Sequence, residues 1–191
     1  ESWQGASSLG GVAVTAVAVS PSEKCVVYVG TGNRVMRTRD CSRTWENVYF
    51  DPRPDTRVTS VKIDRLNSAT VFAATNKGDF LKSSDGGASW SPIHRFDTEV
   101  RQVLMAAADP RVMYAATKGK GLWKTTDGGA AWTDLSAGMG EFAGALDNMI
   151  LAEDAARGDS LVIASNYGLL RTIDGGATFQ PLTLLTPSGS T

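Results

Sequence analysis

The sequence has no long hydrophobic run, no basic cluster, a single histidine and two cysteines among its 191 residues. No apolar stretch reaches the roughly 18 residues that a membrane-spanning helix needs, and the longest one, residues 11–19, is interrupted by a threonine. The 19 Lys and Arg residues nearly balance the 20 Asp and Glu residues. The sequence therefore predicts no direct membrane span and no nucleic-acid partner.

Neither a charged n-region nor an apolar h-region opens the chain, and its first residue is a glutamate. We therefore expect a processed or excised polypeptide, whose targeting segment, if any, has been removed. The composition is that of a folded globular protein, with 42% hydrophobic and 20% charged residues. A chain of this length can bury a core without metals, and no cofactor is predicted.

One segment recurs four times without a gap, at residues 35–45, 80–90, 122–132 and 169–179. Its aspartates are spaced 45, 42 and 47 residues apart. Two apolar stretches of strand length precede each copy, and no helical period separates them. A repeat of this length, built from several short strands, predicts the blades of a β-propeller.

We thus predict an all-β fold of four-stranded antiparallel blades, at about residues 12–50, 57–95, 99–137 and 145–185. In the fourth blade, the first strand is placed at residues 146–151 and the second at 163–166. Ser2 and Trp3 match the end of the repeat, so residues 1–11 are expected to form the outer strand of a preceding blade. Either four blades close a ring by themselves, or they are part of a larger ring.

The recurring segment resembles the Asp-box, or bacterial neuraminidase, repeat, in which a hydroxyl residue, Asp, Gly and Trp or Phe follow in fixed order. The matching aspartate and aromatic positions are Asp40, Trp45, Asp85, Trp90, Asp127, Trp132, Asp174 and Phe179. The blade pattern is most similar to photosystem II stability/assembly factor-like proteins and sortilin-type propellers. This resemblance implies a larger ring and an extracytoplasmic scaffold, periplasmic, lumenal or secreted, that holds a protein partner.

The four aspartates are predicted to be structural rather than catalytic. At a turn between strands, an aspartate can accept hydrogen bonds from nearby backbone N–H groups, and glycines supply positive φ angles. The aromatic residue five positions later is expected to contribute about 2–3 kcal/mol by burial. Glycoside hydrolysis needs two carboxylates at one substrate, whereas blades arranged around a ring keep these aspartates apart.

The first copy departs from the pattern, because Cys41 and Ser42 replace the two glycines. If a hairpin turns at Gly32 and Asn33, Cys25 lies beside Cys41. We therefore predict a disulfide between them, which implies an oxidising compartment. The alternative is a pair of buried free thiols in a cytosolic protein.

Ligands of propellers usually bind on the face opposite the aspartates, where loops lead from one blade to the next. These loops, residues 46–57, 91–99 and 133–145, differ most between the copies, and exposed aromatic and arginine residues are typical anchors of protein interfaces. The predicted binding residues are Tyr49, Phe50, Arg53, Arg57, Arg95, Phe96, Arg101 and Phe142. Alternatively, the aromatic residues fill gaps between blades. His94 is not predicted to bind a metal.

Two further functions stay open beside the protein-binding scaffold. Sialidases and xyloglucanases carry similar repeats, but a sialidase should show an Arg-Ile-Pro motif, and this chain has Arg53 and Pro54 without the isoleucine. A xyloglucanase needs two aspartates across a cleft between two propellers. A non-catalytic carbohydrate-binding propeller would use exposed aromatic rings, for which Tyr49, Tyr167 and Trp123 are candidates. The sequence favours a scaffold that is not an enzyme, with a glycan as a possible ligand.

Overall fold

The computed structural model describes residues 7–154, 157 and 159–183. In this part of the chain, sixteen β-strands form four antiparallel sheets of four strands each. Every sheet consists of four strands that are consecutive in the chain and neighbours in space. Each sheet is therefore a meander, and we number these sheets as blades one to four.

Blade one contains β1 (Ala16–Val19), β2 (Val27–Thr31), β3 (Arg34–Thr38) and β4 (Glu46–Phe50). Blade two contains β5 (Val58–Ile63), β6 (Val71–Thr75), β7 (Asp79–Ser83) and β8 (Ser91–Arg95). Blade three contains β9 (Val100–Met105), β10 (Met113–Thr117), β11 (Gly121–Thr125) and β12 (Thr133–Asp134). Blade four contains β13 (Ile150–Glu153), β14 (Leu161–Ser165), β15 (Gly168–Thr172) and β16 (Gln180–Pro181). Two short 3-10 helices, Ser7–Leu9 and Ser136–Met139, complete the described elements.

Three apolar clusters lie between successive blades, because alternate side chains of a strand face opposite sides of its sheet. Between blades one and two, Tyr28 and Val35 of blade one pack against Val61 and Leu81 of blade two, and all four are at most 4% exposed. Full burial of one such side chain contributes about 1.5–3 kcal/mol. The core of the molecule is therefore a series of interfaces between blades.

The innermost strands lie side by side, so that β1 contacts β5, β5 contacts β9 and β9 contacts β13. Side chains bridge them: Thr15 Oγ1 donates to the Val58 carbonyl at 2.6 Å, and Thr59 Oγ1 donates to the Val100 carbonyl at 2.6 Å. Gln102 bridges blades three and four. Its Nε2 donates to the carbonyl of Leu151 at 3.0 Å, and its Oε1 accepts a hydrogen bond from the N–H of Leu151 at 2.8 Å.

A second kind of contact joins the blades nearer their outer edge. Tyr28 Oη donates to the Gly86 carbonyl at 2.7 Å, and the Arg37 guanidinium donates to the same oxygen. The equivalent groups between blades three and four are Tyr114 Oη, Lys124 Nζ and the Gly175 carbonyl. Arg37 and Lys124, which occupy the same position in the third strands of blades one and three, therefore connect neighbouring blades.

Blade four differs from the sequence expectation in the placement of its first two strands, which lie at residues 150–153 and 161–165 instead of 146–151 and 163–166. Ile150 pairs with Ala164, as Ser60 pairs with Ala74 in blade two, so the expected start at residue 146 is too early. The physical reason is that residues 142–147 form hydrogen-bonded turns. Leu146 packs into the core between blades three and four instead of lying in a strand.

The predicted outer strand at residues 1–11 falls partly outside the described residues, which begin at residue 7. Residues 7–9 form a 3-10 helix and residues 10 and 11 a turn. Trp45 Nε1 donates to Ser8 Oγ at 3.2 Å, so this segment lies against blade one. Ser2 and Trp3, and the end of the fourth predicted blade at residues 184 and 185, lie outside the described part of the chain.

Candidate functional site

A turn built around an aspartate joins the third and fourth strands of each blade. In blade two, Asp85 Oδ1 accepts hydrogen bonds from Ser83 Oγ at 2.7 Å and Ser89 N at 2.9 Å, and Oδ2 accepts one from Ser89 Oγ at 2.5 Å. These donors, first of all the Ser89 hydroxyl, stabilise the carboxylate and lower the pKa of Asp85 to about 2. We call the four equivalent turns, centred on Asp40, Asp85, Asp127 and Asp174, the aspartate turns.

Two residues with positive φ follow each of these aspartates. They are Gly86 and Gly87 in blade two, with φ of 68° and 90°, whereas Cys41 and Ser42 adopt 59° and 68° in blade one. Residues other than glycine rarely hold this conformation. A disulfide joins Cys41 to Cys25, and this covalent bond helps to hold the turn without glycine.

Acidification is expected to destabilise the fold as the aspartate turns lose their charge. The folded-state pKa values of Asp40 and Asp85 are about 2, below the ordinary value of 3.8. A depressed pKa in the folded state gives stability that is complete above pH 4 and is lost as the pH falls towards 2. Urea unfolding at a series of pH values should show the midpoint falling across this window. A constant midpoint would contradict it.

Blade three lacks one donor of its aspartate turn, because Ala131 stands where the other blades have Ser or Thr. Asp127 accepts backbone N–H bonds from Ala130 at 2.9 Å and Ala131 at 3.0 Å. Ala131→Ser should add a hydroxyl donor and bring the pKa of Asp127 towards the value of about 2 found for Asp85, measured by NMR titration of the carboxyl carbon. Ala130→Ser, one residue earlier, is the control and should leave this pKa unchanged. Equal shifts in both variants would contradict the assignment.

The aspartate turns lie at the opposite end of the blades from a cavity that is shared by all four blades. The first and third strands of a blade run in the same direction, because neighbouring strands are antiparallel. The third strand therefore starts at the end of the blade where the first strand starts, and it finishes at the opposite end, where the aspartate turn follows. A cavity of about 650 Å³ lies where the first strands begin. It is lined by residues of all four blades, Thr15, Arg57, Thr59, Glu99, Arg101, Gln102, Asn148, Met149 and Ile150. We call it the inner-strand cavity.

Charged and polar groups of three blades meet in this cavity. Arg57 of blade two forms an ion pair of 3.2 Å with Glu99, which precedes β9. Arg101 of blade three donates to the side-chain oxygen of Asn148, next to blade four. Arg101 Nε is buried, and none of the described residues accepts a hydrogen bond from it. The cavity therefore combines two guanidinium groups with one carboxylate, which Arg57 already pairs.

A second group of charges on the same face, formed by Asp51, Arg53 and Asp79, is paired within the group. Asp79 is 6% exposed, and the Arg53 guanidinium donates to both Asp51 and Asp79. The hydrogen bonds from Arg53 lower the pKa of Asp51. Burial, followed by the charges of Asp51 and Asp79, raises the pKa of Tyr49 to about 12. Arg53 and Tyr49 thus hold the loop between blades one and two in place. The guanidinium of Arg53 already has its partners in Asp51 and Asp79.

The remaining predicted binding residues are divided between core and surface. The prediction that Phe96 is exposed is wrong: it is 4% exposed and packs against Trp123 and Trp132, with ring centroids 5.8 and 5.1 Å away. The cause is its position directly after β8, where the chain turns into the interface between blades. Phe142 packs against Tyr167 with a centroid distance of 5.1 Å. Phe50 is 48% exposed.

Arg95 is the last of the predicted binding residues, and it lines a second cavity of about 380 Å³ between blades two and three. Its guanidinium lies 3.4 Å from Asp79. His94 lines the same cavity and stacks edge-on against Phe96 at 4.6 Å; burial lowers the pKa of His94, which favours the neutral ring. The cavity also contains Trp123, one of the aromatic candidates for carbohydrate binding.

Sequence reasoning found Arg57 and Arg101 but missed their partners in the inner-strand cavity. Thr15 and Thr59 occupy equivalent positions at the start of the first strands, and Arg101 stands at the same position in blade three. Aligning the first strands by this position would have placed all three around one centre. Asn148 gave no such signal, because the first strand of blade four was predicted too early.

Among the described residues, no helix has the length and apolarity required to cross a membrane.

No protein-family model matches the sequence, and no curated protein matches it. Solved structures do match. An ancestral GH74 enzyme superposes with a TM-score of 0.72 at 17% identity, over 92% of this chain and 25% of that one. YCF48 bound to D1 peptide gives 0.65 at 20% identity, over 89% and 54% of the two chains. YCF48 from Cyanidioschyzon merolae gives 0.65 at 18%, over 92% and 57%.

The chain spans about a quarter of the GH74 enzyme and little more than half of either YCF48 chain. Identities of 17–20% show a shared fold and do not decide between an enzyme and a binding protein. Together with the four antiparallel sheets, they confirm the predicted architecture: this chain is an all-β array of β-propeller blades.

Proposed function

We propose that this chain is a non-enzymatic scaffold that holds a protein partner in the inner-strand cavity. The observation that carries the proposal is the convergence of Arg57 and Arg101, from different blades, in one open cavity of about 650 Å³. Arginine is enriched at the energetically important centres of protein interfaces. Its planar group donates up to five hydrogen bonds to backbone carbonyls or carboxylates.

The contacts of the two arginines support this role. Arg57 pairs with Glu99 and Arg101 with Asn148, so both guanidinium groups have a defined orientation in the cavity. Preorganised side chains lose less conformational entropy on binding. An extended segment of a partner would therefore meet correctly oriented hydrogen-bond donors in the inner-strand cavity.

Comparison with known structures supports a protein partner in general, since YCF48 has been solved bound to D1 peptide. The Asp-box pattern resembles photosystem II stability/assembly factor-like proteins, in agreement with a subunit or assembly factor of a membrane-associated complex. The Cys25–Cys41 disulfide favours an oxidising, extracytoplasmic compartment. We therefore propose that the scaffold acts in the periplasm, a lumen or the extracellular space.

The GH74 structures make a glycoside hydrolase the second candidate. Such an enzyme uses two carboxyl groups about 5–10 Å apart. Of the described residues lining the inner-strand cavity, Glu99 is the one carboxylate, and it is paired with Arg57. A glycan-binding propeller is a third candidate, for which Trp123 in the second cavity is the observation.

Affinity capture tests the proposal. The immobilised chain is incubated with extracytoplasmic extract of its source cells, and bound proteins are quantified by mass spectrometry. Arg57→Ala and Arg101→Ala should each reduce the retained partner about tenfold, the loss expected for a truncated interface arginine. Arg65→Ala, an exposed arginine between β5 and β6, is the matched control and should retain it.

Sugar release decides the competing activity. Xyloglucan and sialosides are incubated with wild type and with Glu99→Gln. Hydrolysis that Glu99→Gln abolishes would overturn the scaffold in favour of an enzyme. Retention of glycans rather than proteins, lost in Trp123→Ala and kept in Arg101→Ala, would favour the carbohydrate-binding candidate.

A further inference from the structure

The second cavity lies between blades two and three and shares no lining residue with the inner-strand cavity. One wall is formed by the end of β8 and the loop that follows it, and the other by β11, β12 and Lys120. Its volume of about 380 Å³ lies within the range of about 300–1,000 Å³ that is typical of small-molecule sites. The second cavity therefore has the size to hold a small organic molecule.

The corresponding cleft between blades one and two is occupied by side chains that pair with each other. There the guanidinium of Arg53 donates to the buried carboxylate of Asp79. Thr98 and Gly121 stand at the equivalent positions of the next pair of blades, and neither carries a charge. The cleft between blades two and three therefore lacks this internal ion pair and contains the second cavity instead.

Charged side chains of both signs line the second cavity without pairing with one another. Within the described residues, neither the ammonium of Lys120 nor the carboxylate of Asp97 forms an ion pair or a hydrogen bond. Asp134 accepts one hydrogen bond, from the Ser136 amide at 2.8 Å. The guanidinium of Arg95 lies 3.4 Å from Asp79, which is not part of the cavity. A ligand with one ammonium and one carboxylate would pair with both signs at once.

Trp123 gives the second cavity a hydrogen-bond donor that has no acceptor. Its indole Nε1 is buried, and no residue in the described ranges accepts a hydrogen bond from it, whereas the Nε1 atoms of Trp45, Trp90 and Trp132 all donate to a protein oxygen. A buried N–H group without an acceptor costs free energy. A ligand oxygen beside this atom would remove that cost.

The same wall of the second cavity is aromatic. The ring of Trp123 packs edge-on against Phe96, with centroids 5.8 Å apart, and both residues line the cavity. His94 lies beside them, and burial lowers its pKa, so the neutral ring is favoured. Aromatic surfaces of this kind contact the apolar part of a ligand, whereas its polar groups are fixed by a few well-placed donors and acceptors.

We propose that the second cavity binds a free α-amino acid with an apolar side chain. The ligand carboxylate accepts hydrogen bonds from Lys120 and from Trp123 Nε1, and the ligand ammonium pairs with Asp97 and Asp134. The apolar side chain packs against the rings of Trp123 and Phe96. This small-molecule site is additional to the proposed protein-binding site and does not depend on it.

Isothermal titration calorimetry of the full chain with L-phenylalanine and L-leucine tests the proposal. At least one of them should bind with a Kd below about 1 mM. Its analogue without the ammonium and its analogue without the carboxylate should each bind at least about tenfold more weakly, because each loses a charge-assisted contact. No binding of either amino acid up to about 10 mM would overturn the proposal. So would equal affinity for an analogue, or binding of D-xylose in place of both amino acids.

Variants locate the bound amino acid in the second cavity. Lys120→Ala should weaken binding at least about tenfold, and so should Trp123→Phe, which keeps an aromatic ring and removes the Nε1–H donor. Lys118→Ala, at an exposed lysine two residues earlier that does not line the cavity, is the matched control and should bind like wild type. Equal losses in Lys118→Ala and Lys120→Ala would contradict the assignment.

The site can be tested separately from the protein-binding scaffold. Arg101→Ala should still bind the amino acid, because Arg101 lines only the inner-strand cavity, whereas Lys120→Ala should still retain the protein partner. Urea unfolding verifies that Trp123→Phe folds. Loss of amino-acid binding in Arg101→Ala with full binding in Lys120→Ala would place the ligand in the inner-strand cavity and overturn the proposal.

Discussion

Gly78→Ala is expected to lower the free energy of unfolding by about 3 kcal/mol, the sum of backbone strain and overpacking. Gly78 lies in the turn before β7 with a φ of 86°, and a Cβ there would lie 2.1 Å from the Phe96 carbonyl oxygen and 2.8 Å from that of Thr98. Both neighbours are backbone atoms, so a side-chain rotation cannot relieve the clash. The Phe96 amide also donates to the Gly78 carbonyl at 2.8 Å, and this bond should weaken.

Gly32→Ala is the matched control for this prediction. Gly32 lies in the equivalent turn of blade one with a φ of 52°, and a Cβ added there would meet no atom within 4 Å beyond its chain neighbours. It should cost about 1 kcal/mol, from the positive φ alone. Urea unfolding followed by tryptophan fluorescence measures both variants. Equal losses at the two positions would show that the close approach of the loop at residues 96–98 does not matter.

Removing the disulfide is the second change with a large expected effect. Cys25→Ala with Cys41→Ala should lower the free energy of unfolding by about 3 kcal/mol, the value for a closed loop of about 15 residues, since the two cysteines are 16 residues apart. Thermal unfolding of this variant should match wild type in reducing agent.

Cys25→Ala combined with Cys41→Gly separates the covalent link from the backbone conformation. Glycine adopts the φ of 59° at residue 41 without a Cβ penalty. This variant should therefore regain about 1 kcal/mol relative to the double alanine variant. Two titratable thiols in protein purified without reductant would contradict the bridge, and with it the proposed oxidising compartment.

The repeat made the architecture predictable, because each aspartate turn depends on residues within six positions of one another. Ser83, Asp85 and Ser89 form their hydrogen bonds locally, so their spacing in the sequence already describes the turn. The pairing of Cys25 with Cys41 followed for the same reason, from a hairpin with a two-residue turn. Where blade four lacks the regular spacing, the first strand was placed too early.

The site was less predictable, because its contacts join residues that are distant in the sequence. Arg53 suggested an exposed anchor, but it is paired with Asp79, 26 residues later. Phe96 suggested a ligand contact, yet it fills the space beside Trp132. Arg101 was recognised as a binding residue, whereas its hydrogen bond to Asn148 spans 47 residues and could not be inferred without the arrangement of the blades.

Site-specific photo-crosslinking tests most directly the claim that function lies in the inner-strand cavity and not at the aspartate turns. A photoreactive amino acid replaces Ile150, which lines the cavity and is 64% exposed, or Ile173, which is 59% exposed beside the aspartate turn of blade four. After irradiation in native extract, we predict a protein adduct from position 150 that disappears in Arg101→Ala, and none from position 173. An adduct from position 173 alone would contradict the account.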